Sequence, residues 1–140
     1  KSLGIRAKFM GGDGICSTEL LKVSGDAIAE DMVFCAEAGG EEGEARAELD
    51  AFKARFKTQY GSDVQVYAPN VYDAVKILVA AMVKAESADP AKYLPVLAAT
   101  SHYKGVTGSI TFDGKGDIKN SAMTLKTIRA ARFETLAVIR

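Results

Sequence analysis

The sequence predicts an α/β fold. Short runs typical of strands alternate along the chain with segments whose apolar residues recur at helical spacing. The two longest helical segments, residues 44–60 and 69–87, lie between such runs. Strands and helices in this order are typical of α/β proteins.

The first predicted strand and the first predicted helix lie on either side of a glycine-rich turn. Residues 5–10 predict a short strand that leads into the turn GGDG. Ser17 and Thr18 are good N-cap residues, and the helix that they begin should end at Gly25. Residues 31–37, DMVFCAE, form a short apolar run between two acids and predict a buried strand.

An acidic segment rich in glycine, AEAGGEEGEA at residues 36–45, interrupts the apolar pattern. It is the best candidate in the chain for a crossover or hinge. Its composition alone favours a solvated loop before an acidic helix N-terminus. The helix that follows should cover residues 44–60, with Phe52 and Phe56 on one face, and end at Gly61.

The middle of the chain predicts a short strand and two helices. Residues 64–68, VQVYA, are β-like, and Pro69 opens a helix that continues to about Ser87. This helix is apolar on more than one face, which predicts that it is covered on more than one side. Asp89 and Pro90 begin a further short helix that ends near Ala99.

The last third changes to the period of β-strands. Residues 107–129 predict a strand, a turn rich in glycine and aspartate, and a second strand of alternating residues. Residues 133–140, FETLAVIR, predict a final strand that continues or pairs with it.

Composition excludes several classes of partner. The chain has 140 residues, with 18 basic and 18 acidic side chains, so it carries no net charge that would attract nucleic acid or an anionic membrane. The longest apolar stretch, near residues 77–83, is far shorter than the roughly 20 residues needed to cross a bilayer.

No motif predicts a catalytic, metal or cofactor site. The turn GGDG lacks the spacing of a dinucleotide fingerprint. The segment FDGKGD at residues 112–117 resembles the start of a calcium loop, but Lys115 occupies a position where calcium needs a ligand oxygen. A tight turn is the favoured interpretation. His102 could pair with Cys16 or Cys35 in nucleophilic catalysis, although neither cysteine has an activating neighbour in sequence. One histidine and two cysteines are too few for a usual structural zinc site.

Four segments, taken in order, resemble the C-terminal part of a periplasmic branched-chain amino-acid-binding protein. The most specific are the YDAV helix and the turn of pattern G-x-I-x-F-D-x-x-G-D. The four segments are FMGGDGI, GDAIAEDMVFCAE, YAPNVYDAVKILVAAM and GVTGSITFDGKGDIKNSAMTLKTIR. Such proteins are the solute-binding components of ABC importers. The resemblance implies the type I periplasmic binding fold, with two Rossmann-like lobes joined by hinge crossovers.

The same resemblance implies a division of the chain between the lobes. Residues 1–40 would belong to the second, C-terminal lobe, residues 41–120 to the first, N-terminal lobe, and residues 121–140 to the second lobe again. The remainder of the same polypeptide, an N-terminal portion outside this sequence, would supply most of the first lobe. The all-round apolar stretch at residues 71–83 independently suggests that the chain packs within a larger folded unit.

The resemblance also implies ligand-binding residues. Asp13 matches the acidic side chain that meets the ligand's α-ammonium group, and Gly12 would let backbone and ligand approach closely. Asp13 could instead only cap its turn. Family members specific for leucine, isoleucine and valine carry glutamate here, so the shorter aspartate leaves the exact amino acid open.

A second ligand contact is implied at Tyr67, just before the predicted helix. It matches an aromatic residue that closes over the ligand side chain in the family, and an aromatic face suits an aliphatic group. Tyr67 could equally be a core or edge-strand aromatic. Tyr72, on the helix itself, is favoured as a packing residue.

The two cysteines are candidates for a disulfide. Cys16 lies at the start of the first helix and Cys35 in the strand after it, so a helix running back along its neighbouring strand can bring them within range. The resemblance places the protein in the oxidising periplasm, where such a bond persists. Two buried free thiols are the alternative.

The function implied by the resemblance is capture of an amino acid, aliphatic or branched-chain, and its delivery to an ABC transporter permease. The protein would be periplasmic or lipid-anchored outside the cytoplasmic membrane, without enzyme activity or cofactor. The alternative is a ligand-sensing domain of the same fold in a receptor or regulator.

Overall fold

The computed structural model describes residues 4, 6–28, 30–39 and 43–139, and the chain forms two compact units. The first unit comprises Lys1–Gly40 and Ala122–Arg140, and the second comprises Glu41–Ser121. In chain order the strands and helices are β1 (Phe9–Gly11), α1 (Thr18–Ser24), β2 (Val33–Ala38), α2 (Gly43–Tyr60), α3 (Ala68–Lys84), α4 (Pro90–Ala98), β3 (Tyr103–Gly105), β4 (Gly108–Ile110), β5 (Met123–Arg129) and β6 (Arg132–Ile139).

The first unit is built on a four-stranded mixed sheet in the order β1-β2-β5-β6. β1 and β2 are parallel, with Phe9 opposite Val33, and α1 lies between them in the chain. β5 is antiparallel to both β2 and β6. The strands predicted at residues 31–37 and 133–140 are confirmed as β2 and β6, whereas Ile5 lies outside the described residues.

The ends of α1 follow the predicted chemistry. The Ser17 side chain accepts a hydrogen bond of 3.1 Å from the Glu19 amide, which satisfies one of the free N–H groups at the helix start. Gly25 follows the last residue with φ of 47°, a left-handed conformation that favours glycine. The predicted start and end of this helix are confirmed.

The second unit consists of three helices and the antiparallel hairpin β3–β4. Its buried apolar side chains come from α2, α3 and the hairpin: Phe52, Ile77, Ala81, Val106 and Ile110. The long helices predicted from residue 44 and from residue 69 are confirmed, the second ending at Lys84. α4 begins as expected, because the Asp89 side chain accepts a hydrogen bond from the Ala91 amide at 3.0 Å.

The strand predicted at residues 64–68 is wrong. Residues 64–65 are irregular, residues 66–67 form a turn, and Ala68 is already helical. The Ala68 amide donates to the Gln65 carbonyl at 3.1 Å, so the segment bonds within itself and pairs with none of the described strands. The proline that follows Ala68 favours a helix start over an extended strand.

Both strands predicted within residues 107–129 are present, as β4 and β5, but they do not pair with each other. β4 pairs with β3, which sequence analysis missed, and β5 belongs to the sheet of the first unit. Between the two strands only the Phe112–Ile118 bridge joins the sides of the predicted turn. The acidic segment 36–45 is split between β2 and α2, and its residues 40–42 lie outside the described residues.

One face of α3 is apolar and exposed. Val71, Val75, Val79 and Val83 recur every four residues and are 58%, 54%, 50% and 71% exposed. The opposite face, with Ile77 and Ala81, is buried. Four exposed apolar side chains in one stripe are typical of a helix face that another part of a protein covers.

We therefore expect residues 1–140, expressed alone, to aggregate or to give poorly dispersed amide resonances. Gel filtration and two-dimensional NMR would measure this. Charged substitutions on the stripe, such as Val75→Glu with Val79→Glu, should reduce aggregation of the isolated chain. A monomer of the unchanged chain with a sharp, cooperative thermal transition would show that the stripe needs no cover.

Candidate functional site

Asp13 lies on a single 3-10 turn, Asp13–Ile15, directly after β1. The Asp13 side chain is half-buried, and its Oδ1 accepts a hydrogen bond of 2.9 Å from the Gly14 amide. The carboxylate thus caps its own turn, as the alternative interpretation proposed, through one of its two oxygens. Capping by one oxygen holds the group in a defined orientation and leaves the other able to accept from a cation.

The two glycines that precede Asp13, Gly11 and Gly12, differ in the space beside them. Gly12 is extended, with φ of −73° and ψ of −168°, a conformation that any residue can adopt. A Cβ on Gly12 would meet nothing within 4 Å, which leaves its backbone open to close approach. Gly11 is different, because a Cβ there would lie 2.6 Å from Cδ1 of Ile15.

A disulfide joins the Asp13 turn to the sheet. The structure pairs Cys16 with Cys35, 19 residues apart, with Cα atoms separated by 5.6 Å. Cys16 ends the turn, and its amide donates to the Asp13 carbonyl at 2.9 Å. Cys35 lies in β2 and is completely buried. The turn that carries Asp13 is therefore held covalently to the strand beside β1.

We expect replacement of both cysteines by serine to lower the unfolding free energy of the full-length protein by about 3 kcal/mol, because the cross-link closes a loop of this length in the unfolded chain. Urea unfolding would measure the loss. Mass spectrometry after alkylation provides an independent check: the denatured chain should take up label at Cys16 and Cys35 only after reduction. Label on both without reductant would contradict the bond.

Tyr67 lies in the second unit, immediately before α3, and is 50% exposed. It lines a groove of about 530 Å³ between α2 and the start of α3. Five aromatic side chains line most of the groove: Phe52, Phe56, Tyr60, Tyr67 and Tyr72. The other lining residues are Arg55, Gln59, Ala68 and Val71. Tyr67 thus presents a ring at an open apolar surface that suits an aliphatic group.

Tyr72 has the packing role that sequence analysis favoured. Its ring lies 5.0 Å from that of Phe52, between centroids, and the Lys76 ammonium lies 5.7 Å from its centre. Phe56 and Tyr60 continue the aromatic row, with 4.7 Å between their ring centres. The contact between Phe52 and Tyr72 joins α2 to α3, whereas the other two contacts lie within one helix each.

Asp73 is a buried acid that sequence analysis missed. It is 2% exposed, and its carboxylate accepts three hydrogen bonds, from the Val106 amide at 2.9 Å, the Thr107 amide at 2.9 Å and the Thr107 hydroxyl at 2.6 Å. A Cβ on Gly105 would lie within 3 Å of the carboxylate carbon and both of its oxygens. The sequence held one signal: Asp73 is four residues from both Pro69 and Ile77, which places all three on the same face of α3, and that face is buried.

Among the residues that the structure describes, the cysteines and His102 form neither a nucleophile–histidine pair nor part of a metal cluster. Both cysteines are in the disulfide, so neither can act as a nucleophile with His102, which is exposed. Within the part of the chain that the structure describes, no three His, Cys, Asp or Glu side chains are close enough to bind a metal together. None of the helices described there is long and apolar enough to span a membrane.

The segment FDGKGD is a tight turn. Oδ1 of Asp113 accepts from the amides of Lys115 at 2.8 Å and Asp117 at 2.9 Å. The hydrogen bond from Lys115, followed by that from Asp117, lowers the pKa of Asp113 below its ordinary value. The Asp113 carboxylate, which a calcium loop would need as a ligand, thus accepts hydrogen bonds from backbone amides of the same turn.

Comparisons with known proteins agree on one family. Residues 1–132 match the model of the family described as periplasmic binding protein. The leucine-, isoleucine-, valine-, threonine- and alanine-binding protein of Pseudomonas aeruginosa is 32% identical over 125 residues, which are 89% of this chain and 32% of that protein. The Leu/Ile/Val-binding protein homolog 1 of Brucella abortus is 34% identical over 83% of this chain and 30% of its own length.

Solved structures show the same fold. An ABC transporter substrate-binding protein from Desulfitobacterium hafniense, in complex with Leu, superposes with a TM-score of 0.75 at 25% identity, over 96% of this chain and 37% of that one. A branched-chain amino acid transporter substrate-binding protein from Streptococcus pneumoniae, in complex with isoleucine, gives 0.81 at 22% identity, over 99% and 38%. The chain therefore spans about a third of the length of the curated relatives that it matches.

Proposed function

The chain belongs to the periplasmic binding protein family, and from that premise we propose that it is part of a protein that captures an aliphatic amino acid outside the cytoplasm. The full-length protein would bind the amino acid between two lobes and deliver it to an ABC permease. Closure of hinged lobes around a ligand is a known class of conformational change. The names of the relatives, which include binding proteins for leucine, isoleucine and valine, support this substrate class.

The observation that carries the proposal is the half-buried Asp13 carboxylate at the end of β1. A ligand ammonium group that meets this carboxylate would form a charge-assisted hydrogen bond, which is shorter and stronger than a neutral one. The disulfide at Cys16 and the open backbone at Gly12 support the assignment, because the first fixes the turn and the second leaves room beside it.

We propose that the two compact units belong to different lobes of the full-length protein. The first unit, with β1 and Asp13, would be the part of the C-terminal lobe that meets the ammonium group. The second unit, with Tyr67, would be the part of the N-terminal lobe that covers the ligand side chain. The chain boundaries of the units, at residues 40–41 and 121–122, support this division.

The test is a calorimetric screen of amino acids against the full-length protein. We expect aliphatic L-amino acids to bind and acidic or basic ones not to, because an apolar side-chain pocket lined by tyrosine rejects a charge. N-acetyl-leucine, which keeps the side chain and lacks the ammonium group, is the matched control and should not bind. Binding of charged amino acids alone, or of none, would overturn the proposal.

A further inference from the structure

We infer that Asp73 is a positioning residue for the ligand site: its carboxylate, enclosed by Gly105, Val106 and Thr107, sets the orientation of α3 and through it the position of Tyr67. The inference rests on the proposed role of Tyr67 as a ligand contact. Asp73 itself does not reach that ring, because six residues of helix span about 9 Å at about 1.5 Å per residue.

The three hydrogen bonds to Asp73 lock α3 to the hairpin. Both carboxylate oxygens are engaged, Oδ1 by the Val106 amide and Oδ2 by the amide and hydroxyl of Thr107. The group is 2% exposed, so water cannot replace a bond that is broken. Rotation or sliding of α3 past the hairpin would break all three bonds together.

The first turn of α3 connects the helix that carries Asp73 to Tyr67. Tyr67 is the N-cap residue of the helix, and its carbonyl accepts a hydrogen bond of 3.0 Å from the Val71 amide. Pro69, in the same turn, is buried on the face that carries Asp73. Since the backbone of Tyr67 moves with this turn, fixing the helix at Asp73 fixes where the Tyr67 ring is presented.

The hairpin is itself held in place, which makes it a suitable anchor. Gly108 begins β4 with φ of 123°, and a Cβ there would lie 3.7 Å from that of Ala45 on α2. Val106, between the two strands, is 7% exposed. The turn that encloses the carboxylate is therefore packed in the core of the second unit and does not follow α3 freely.

Asp73→Asn in the full-length protein is the first test. An amide keeps the shape of the side chain but turns an NH₂ group toward N–H and O–H donors, so at least one bond becomes a repulsion. We expect leucine affinity to fall about tenfold in Asp73→Asn, and no further fall from that substitution when Tyr67 is already alanine. Ile77→Ala is the control: it removes a buried side chain from the same face without touching the lock, and should lower thermal stability with affinity within about twofold.

A fluorinated tyrosine placed at position 67 gives a readout that needs no ligand. Its ¹⁹F resonance should shift or broaden in Asp73→Asn and stay unchanged in Ile77→Ala. Thr107→Val, which removes only the hydroxyl bond, should give the same change at smaller size and replaces Asp73→Asn if that variant does not fold. An unchanged resonance, or an equal loss of affinity with and without the Tyr67 ring, would overturn the inference. If the resonance responds but no amino acid binds, the proposed function fails and the coupling of Asp73 to Tyr67 stands.

Discussion

Asp13→Asn is expected to weaken amino-acid binding by the full-length protein by at least about thirtyfold, since truncating one partner of a buried charge pair costs about 2–5 kcal/mol. The amide keeps an oxygen that can accept from the Gly14 amide, so the turn itself should survive the change. The variant loses the negative charge that we propose meets the ligand ammonium group. Titration calorimetry with leucine would measure the loss.

Two controls separate this pairing from a general effect of charge. Glu19→Gln removes one negative charge from an exposed ion pair with Lys22 on α1 and should leave affinity unchanged. A deaminated ligand, 4-methylpentanoate, should bind the wild-type protein weakly and the Asp13→Asn variant no more weakly. Leucine affinity within twofold of wild type in folded Asp13→Asn would show that Asp13 only caps its turn.

Local chemistry in the sequence predicted the helices well. The N-cap at Ser17, the glycine stop at Gly25 and the Asp89 cap each act within a few residues, and each is present in the structure. Such signals need no knowledge of distant parts of the chain. They predicted both ends of α1 and the start of α4, whereas α3 ends at Lys84, three residues before the predicted end. They did not predict what the helices pack against.

Pairing of strands was predicted less well, because it depends on distant partners. β5 pairs with β2, about 90 residues earlier in the chain, and nothing near residues 107–129 indicates that partner. The turn between β5 and β6 also lacks the glycine or asparagine that usually indicates a tight hairpin, because its two residues are Ala130 and Ala131. Both alanines nevertheless adopt positive φ, of 47° and 55°. Residues 64–68 have the composition of a strand but form a turn and a helix start, because the segment hydrogen-bonds within itself and a proline follows it.

For the candidate site, too, some residues could be proposed from the sequence and others could not. Asp13 and Tyr67 are proposed from the family resemblance, and the structure adds where each lies. Asp13 is on a turn joined to the sheet by a disulfide, and Tyr67 lines an aromatic groove. Asp73 was missed because a lone acid in an apolar helix shows no partner in sequence. Its three donors lie more than 30 residues later, and only the fold brings them to it.

Gly105→Ala is expected to destabilise the full-length protein by about 3–5 kcal/mol, combining the cost of overpacking with that of buried donors left without a partner. The new Cβ would clash with Oδ2 of Asp73, because the two atoms would lie closer than real contacts allow. Asp73 cannot swing aside without giving up its bonds to Val106 and Thr107, because the carboxylate is buried. Chemical unfolding would measure the change.

Gly114→Ala is the matched control for Gly105→Ala, because a Cβ at Gly114 meets nothing within 4 Å. Its unfolding free energy should stay within about 0.5 kcal/mol of wild type. Asp73→Ala combined with Gly105→Ala should cost less than the sum of the two, because removing the carboxylate makes room for the new methyl group. Additive losses, or a Gly105→Ala protein as stable as Gly114→Ala, would contradict a carboxylate enclosed by this turn.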